Sequence, residues 1–348
     1  MAANIERRVR ATIVGSLPKP GWLAGPGEIV ASWRLDSARL KEGQEDAVRI
    51  WIAAQEKAGL DIVTDGEQRR QHYIWGFLQG LEGIDTVNLA MRAQRAQRYH
   101  KEIAAARLIG GPEWRGPIFV DALRATLAMT DRPVKVTLPG PMTIVDSLVD
   151  TVGGRSEAVL AMRFAELLNI EARALAEAGA SVVQFDEPCF NVYVDKVKDW
   201  GIAALERAIA GVTATTSIHI CYGYGTADVK RWKSGNSDWS HYGHTLPLLA
   251  KTSIDQVSIE TAASGVDVSV ISEIRGKDVL LGVVDVGSET VESADTVADR
   301  LRAALRHVDP GHLHACTDCG MVPLSRGAAE GKLRALVAGA ALVNATLS

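Results

Sequence analysis

Eight short apolar runs, each closed by polar or glycine residues and separated by stretches long enough for a helix, most narrow what this chain can fold into. They are "ATIVGS" from residue 11, "DIVTDGE" from 61, "VKVTLPG" from 134, "SVVQFDEP" from 181, "TSIHICYG" from 216, "DQVSIE" from 255, "VLLGVVD" from 279 and "LHACTDCG" from 313. Continuous apolar runs bounded by turn residues read as strands buried on both faces. Leu160, Phe164, Leu167, Ile170, Ala174 and Ala178 recur at spacings of three or four, as one helix face requires, and Gly179 stops that helix. The junctions "KAGLDIV" and "EAGASVV" both run from a helix end through Ala-Gly into a strand. Repeated helix-then-strand units imply a parallel sheet.

Eight units predict an α/β fold of the closed (β/α)8 TIM barrel type. Neither G-x-G-x-x-G nor G-x-x-x-x-G-K-[ST] occurs to support an open nucleotide-binding sheet. Barrels commonly exceed ordinary domain length, so one domain spanning 1–348 is expected from 348 residues of 47% apolar composition. Residues 71–130 are too long for a plain connection and predict an insertion of helices or a hairpin between strands two and three. The polar stretch "AQRAQRYHKE" within it is expected to be partly exposed. The segment "RWKSGNSDWSHYGH", 231–244, reads either as a cover over the site or as a solvated loop.

A formal net charge of -4 with no long run of one sign excludes an evident nucleic-acid surface or polybasic membrane patch. The partner expected is a small molecule. The N-terminal residues lack the apolar core of a signal peptide, and no later run approaches a membrane span, which predicts a cytoplasmic location and no membrane partner. Four cysteines, Cys189, Cys221, Cys316 and Cys319, are too few for a disulfide framework in a chain this long, which leaves free thiols or metal ligation.

Barrel chemistry sits at the C-terminal ends of the strands, so the residues closing each run should converge. They are Ser16, Asp65 and Glu67, Asp186 and Glu187, His219 and Cys221, Glu260, Asp285, and Asp318 and Cys319. In a strand, i and i+2 face one side, which pairs His219 with Cys221. An imidazole and two thiolates suit tetrahedral zinc, with a carboxylate as fourth ligand, so His219, Cys221, Glu260 and Cys319 can meet at one ion. By itself an H-x-C in a strand is more often a core histidine and a buried thiol; the coincidence with Glu260 and Cys319 at other strand ends reverses that reading. Cys316 reads as a packed strand residue, with a redox C-x-x-C pair as the alternative. "DGEQRR" reads equally as a turn with solvated arginines or as a carboxylate aimed into the barrel mouth, and "DEP" equally as a helix start or a ligand for an ammonium. Asp285, closing the seventh run, is the candidate catalytic residue.

In this order "TIVGSLPKP", "DIVTDGEQRR", "LPGPMTI", "VVQFDEP", "IHICYG", "VSIET", "GVVDV" and "CTDCG" resemble the catalytic barrel of cobalamin-independent methionine synthase, in its short, stand-alone form. The resemblance implies a zinc-dependent methyltransferase with zinc on His219, Cys221, Glu260 and Cys319, homocysteine as the thiol, and Ser16, Glu67 and Asp186 holding the amino acid's backbone groups. Two motifs depart from the long enzymes. Where these read "DIHSP", with a histidine as proton donor, this chain reads "DVGSE", which puts Gly287 at the histidine's place; and "VDSLVD" lacks the tryptophan that stacks on the pterin. These losses point away from free methyltetrahydrofolate as methyl donor and toward another donor, such as a methylcobalamin protein, delivered by a partner protein. The alternative within the family is epoxyalkane:coenzyme M transferase chemistry, whose sulfonate would call on Arg69 and Arg70.

Overall fold

The computed structural model describes residues 8–98 and 102–347. Its ten strands are β1 (Arg10–Ala11), β2 (Leu81–Ala93), β3 (Glu102–Trp114), β4 (Lys135–Pro139), β5 (Leu148–Asp150), β6 (Val182–Asp186), β7 (Thr215–Ile220), β8 (Gln256–Glu260), β9 (Asp278–Val284) and β10 (Leu313–Thr317). Seven of them form one curled parallel sheet in the order β1-β10-β9-β8-β7-β6-β4. The gap between β1 and β4 is filled by the second apolar run. Asp61 N donates to Ala11 O at 2.9 Å, Val63 N to Pro133 O at 3.0 Å, and Lys135 N to Val63 O at 2.8 Å, with a parallel bridge between Val63 and Val134. This is the eighth position of a TIM-barrel-like fold, held partly by side chains in place of a regular ladder: Gln55 bonds both Thr64 N and Thr64 O, and Asp61 accepts from Ala11 N.

Helices cover the outside of this sheet. The helix Ser37–Ala58 buries Val48, Trp51 and Ile52 and ends on Gly59 at φ +92°, a left-handed conformation that glycine adopts without a Cβ penalty. The helix Glu157–Glu177 starts at Ser156, whose side chain accepts from Val159 N, and buries Leu160, Phe164 and Leu167 as its periodicity predicts. Ile170 departs from that face: it is 42% exposed, because the buried stripe continues instead through Leu168, Glu171 and Leu175.

Between the second and third ring positions, the 61–64 run and β4, the chain makes the predicted insertion. β2 and β3 form an antiparallel hairpin, from Leu81↔Trp114 to Ala93↔Glu102, and β3 pairs in parallel with β5. The helices Tyr73–Leu78 and Val120–Leu127 flank it. In the polar stretch 93–102, Ala96 and Glu102 are exposed while Gln94 and Arg95 are buried, and residues 99–101 lie outside the described residues. The far end of the hairpin hangs on one fully buried carboxylate: Glu171 accepts from Trp114 Nε1 at 2.9 Å, Ile118 N at 3.0 Å and Phe119 N at 2.7 Å. Glu171→Ala leaves three donors without their acceptor, so urea unfolding should show a stability loss of about 3 kcal/mol or more.

Inside the ring the side chains are unusually polar for a barrel. Lys135, Gln184, Ser217 and Ser258 are buried there, and the apolar interior shrinks to Val14, Leu280 and Cys316. No helix among the described residues is long and apolar enough to cross a membrane.

Candidate metal centre and substrate cavity

β7 carries His219, and Cys221 follows two residues later on the same side; β10 ends at Thr317, and Cys319 follows two residues later. The fold brings one ligand atom from each of His219, Cys221 and Cys319 within 4.8 Å of the others, and all three residues are buried. The two Sγ atoms are 3.5 Å apart. Donation from the Cys319 thiol, helped by neighbouring His219, holds Cys221 well below the usual thiol range, and the same contact with burial pushes Cys319 up. His219 Nδ1 is 2.9 Å from Ser258 Oγ, and its Nε2 has no well-formed hydrogen bond among the described residues. An orphaned, buried imidazole nitrogen beside two thiols fits a thiophilic divalent ion, with Ser258 orienting the ring from behind.

Glu260, at the end of β8, lies next to this group without joining it. Its Oε1 is 2.5 Å from Lys233 Nζ and its Oε2 accepts from Tyr222 N at 3.0 Å. Burial raises its carboxyl above the usual range, with Lys233 opposing. Asp318 holds the following turn by accepting from the backbone N–H groups of Thr261, Ala262 and Ala263. Cys316 packs with Val14 and Leu280, below the group rather than in it, and Cys189 is buried in the short turn Pro188–Asn191. Both cysteines are free.

A cavity of about 360 Å³ opens over the centre, with Ser16, Glu67, Asp186, His219, Cys221 and Cys319 in its wall. Ser16 is buried against Gly320 so tightly that a Cβ there would stand 2.0 Å from Ser16 Oγ; only glycine allows the two loops to approach in this way. Within "DGEQRR", Asp65 is the turn residue, accepting from Glu67 N at 2.9 Å, and Glu67 is the carboxylate in the cavity. Glu67 itself sits at φ +57°, a strained conformation that turns it inward. Thr137 Oγ1 donates to Glu67 Oε1 at 2.7 Å, and Arg70 Nη1 donates to Thr137 Oγ1 at 3.0 Å.

In "DEP" the two acids separate. Asp186 faces the cavity, pushed up to about 7 by burial, with His219 opposing and Glu67 adding to the shift. Glu187 caps the helix Pro141–Asp146, accepting from Met142 N at 2.7 Å and Thr143 N at 3.0 Å. Asp285 stands at the end of β9 with Oδ1 accepting from Gly287 N at 2.6 Å; it is not among the residues that line the cavity. At Gly287 a Cβ would meet the Lys230 side chain at 3.3 Å. Arg69 is engaged by Glu45 and Asp65, and Arg70 by Thr137 and the Phe119 ring, so neither lines the cavity.

Several functional contributors escape sequence reasoning. Ser258, Gln184 and Thr137 lie two residues before Glu260, Asp186 and Pro139 on the inward face, a period-two signal that points to them once the strands are placed. Lys233, in the segment 231–244, reaches Glu260 with no such pattern to announce it. That segment folds into parts of the helices Ala227–Gly235 and His241–Leu249, and its Trp232 and Trp239 pack on Tyr222. Arg95 and Ile103, from the hairpin, reach the cavity wall.

The parallel β/α barrel gathers an imidazole and two thiols at its strand ends, beside a cavity with Glu67 and Asp186 in its wall, a donor set that could hold a metal ion. The sequence profile of the cobalamin-independent synthase catalytic domain matches residues 9–342, and the chain belongs to this family. It is 28% identical over 337 residues to a methionine synthase of Sulfurisphaera tokodaii, covering 97% of this chain and 93% of that protein. A methionine synthase of Saccharolobus solfataricus is 29% identical over 340 residues, covering 97% and 95%. The solved B12-independent methionine synthase of Shewanella sp. W3-18-1, in complex with selenomethionine, superposes with a TM-score of 0.94 at 42% identity, covering 98% of this chain and 99% of that one.

Proposed function

We propose that this protein transfers a methyl group to the thiol of homocysteine, giving methionine, in a zinc-dependent reaction. The observation that carries this is the convergence of His219, Cys221 and Cys319 on the floor of a cavity whose wall presents Glu67 and Asp186. Zinc would be held by these three, with Glu260 beside them as the fourth ligand. When bound, the ion supplies Lewis acidity that keeps a coordinated thiol ionised at neutral pH. The related Shewanella enzyme, solved with a methionine analogue, supports the same substrate class here.

The chain's own residues do the rest. Glu67 and Asp186 pair with the substrate ammonium through charge-assisted hydrogen bonds, and that cation favours the ionised form of Asp186, which burial alone disfavours. Ser16 contacts the amino acid's backbone groups. Ser258 fixes the ring of His219, and Lys233 holds Glu260 in place. Tyr73, Trp75 and Tyr224 wall the cavity and keep water from the reacting thiol. The two arginines on which the coenzyme M alternative would call, Arg69 and Arg70, are committed elsewhere, and the cation in the cavity wall, Arg95, is paired with Asp146, which favours the amino-acid thiol.

The donor is one other than free methyltetrahydrofolate, such as a methylcobalamin protein, brought by a partner protein. Gly287 supplies no proton, and "VDSLVD", where the pterin-stacking tryptophan is missing, instead leads into β5 and carries the inserted hairpin. Elemental analysis should find stoichiometric zinc, and X-ray absorption should show a sulfur neighbour gained on adding homocysteine. Chelator-free protein without stoichiometric zinc would overturn the proposal. The zinc-loaded protein with homocysteine and free methyltetrahydrofolate polyglutamate should turn over poorly; efficient turnover would refute the donor assignment.

A further inference from the structure

The polar barrel interior holds a charge that the proposed reaction does not use. Lys135, on β4, is 2% exposed, and its Nζ donates to the carbonyl of Ile13 and to Gln184 Oε1, the latter at 2.9 Å. Burying an ammonium is costly unless its charge is met by an opposite one, and burial pulls Lys135 below the usual lysine range, with Cys316 and Asp186 opposing. The first carboxylate it meets lies beyond the amide. A lysine can only donate, so Gln184 must turn its oxygen toward Lys135 and its nitrogen away. That nitrogen donates to Val14 O at 2.9 Å and to Asp186 Oδ1 at 2.8 Å.

Glu67, the carboxylate that faces Asp186 in the cavity, is backed in the same way. Arg70 donates to Thr137, and Thr137 donates to Glu67. Each acid is therefore supported by a buried cation standing one neutral group behind it. Two carboxylates facing one cavity disfavour each other's ionisation, and a cation in direct contact would relieve this while occupying the site. A cation one group away favours the charged form and leaves the front of the carboxylate open to a ligand.

We infer that Lys135, acting through Gln184, is the positioning residue that fixes the Asp186 carboxylate for a substrate ammonium group. This rests on the reading that an amino-acid thiol occupies the cavity. The test compares homocysteine with 4-sulfanylbutanoate, which keeps the thiol and carboxylate but lacks the ammonium. Affinities are measured by calorimetric titration of the zinc-loaded wild type, of Lys135→Met, and of Lys135→Met/Gln184→Met, in which no Gln184 Oε1 is left without the donor that Lys135 supplied.

The wild type should prefer homocysteine, and both variants should lose that preference by about tenfold or more, the scale of one hydrogen bond to a charged group, with zinc content unchanged. Variants that keep the preference, weaken both thiols equally, or lose zinc would overturn the inference while leaving the function standing. A wild type that does not distinguish the two thiols would remove ammonium recognition altogether, and the proposed function with it.

Discussion

Cys221→Ser is expected to lower zinc affinity by more than about 100-fold and to abolish methionine formation, while the protein still unfolds cooperatively. Loss of a partner outside the coordination shell already costs about 10- to 100-fold in metal affinity, and Cys221 would be a ligand itself. Serine keeps the volume of the side chain but replaces a soft, readily ionised sulfur with a hydroxyl that a borderline-soft ion binds poorly. The loss should be specific because the sulfur is already committed: it lies 3.5 Å from Cys319 Sγ and is held below the usual thiol range by that neighbour and by His219. Cys316→Ser is the matched control. Its sulfur packs against Val14 and Leu280, so the change should cost some stability and leave zinc binding intact. Competition against a chromogenic chelator measures both. Equal zinc affinity in Cys221→Ser and wild type would show that the His219, Cys221 and Cys319 cluster is an ordinary barrel core.

What the sequence made legible followed from strands with a side-chain period of two. Buried parallel strands are continuous apolar runs, and the first polar residues past each run stand at the barrel mouth. That logic located all eight ring positions, including 61–64, which forms only a bridge with Val134, and it brought His219, Cys221 and Cys319 together from β7 and β10. It also named Glu260 correctly as a strand-end residue of β8. What it could not anticipate is that the carboxylate meets Lys233, because that contact depends on how a helix 27 residues away folds back. The inserted hairpin was visible only as excess length. β2 and β3 hold five alanines and three glycines between them and show no clean alternation of burial, so no period marks them as strands. The burial of Arg95 was hidden for a related reason: nothing local marks which part of a polar stretch is buried, and the carboxylate that Arg95 meets lies 51 residues away.

That carboxylate carries the second large effect. Asp146→Ala is expected to release the hairpin tip from the barrel rim. Asp146 Oδ2 accepts from Arg95 N at 3.0 Å and also from Arg95 Nη1, while Oδ1 accepts from Tyr193 OH at 2.7 Å. The tip is strained, with Arg95 at φ +55° and Ala96 at φ +50°, so it stays in this conformation only while such contacts outweigh the strain. Removing one partner of a buried ion pair costs about 3–5 kcal/mol, because the other charge remains buried without it. Amide hydrogen exchange should therefore accelerate across β2 and β3 while β6 to β10 stay protected. Burial alone would push the Asp146 carboxyl up; Arg95, with Tyr193 and the Arg95 N–H, more than reverses this and leaves it below the usual range. A depressed carboxyl stabilises the fold above its ordinary value of about 3.9 and loses that contribution as pH falls through its lower folded value. The wild-type hairpin should thus keep its protection at pH 5 and lose it only in stronger acid. Asp146→Asn, which cannot ionise, should show weakened protection at pH 5 and no further acid step from this site. An unchanged acid step in that variant would move the cause to another carboxylate and leave Arg95 held by something other than Asp146.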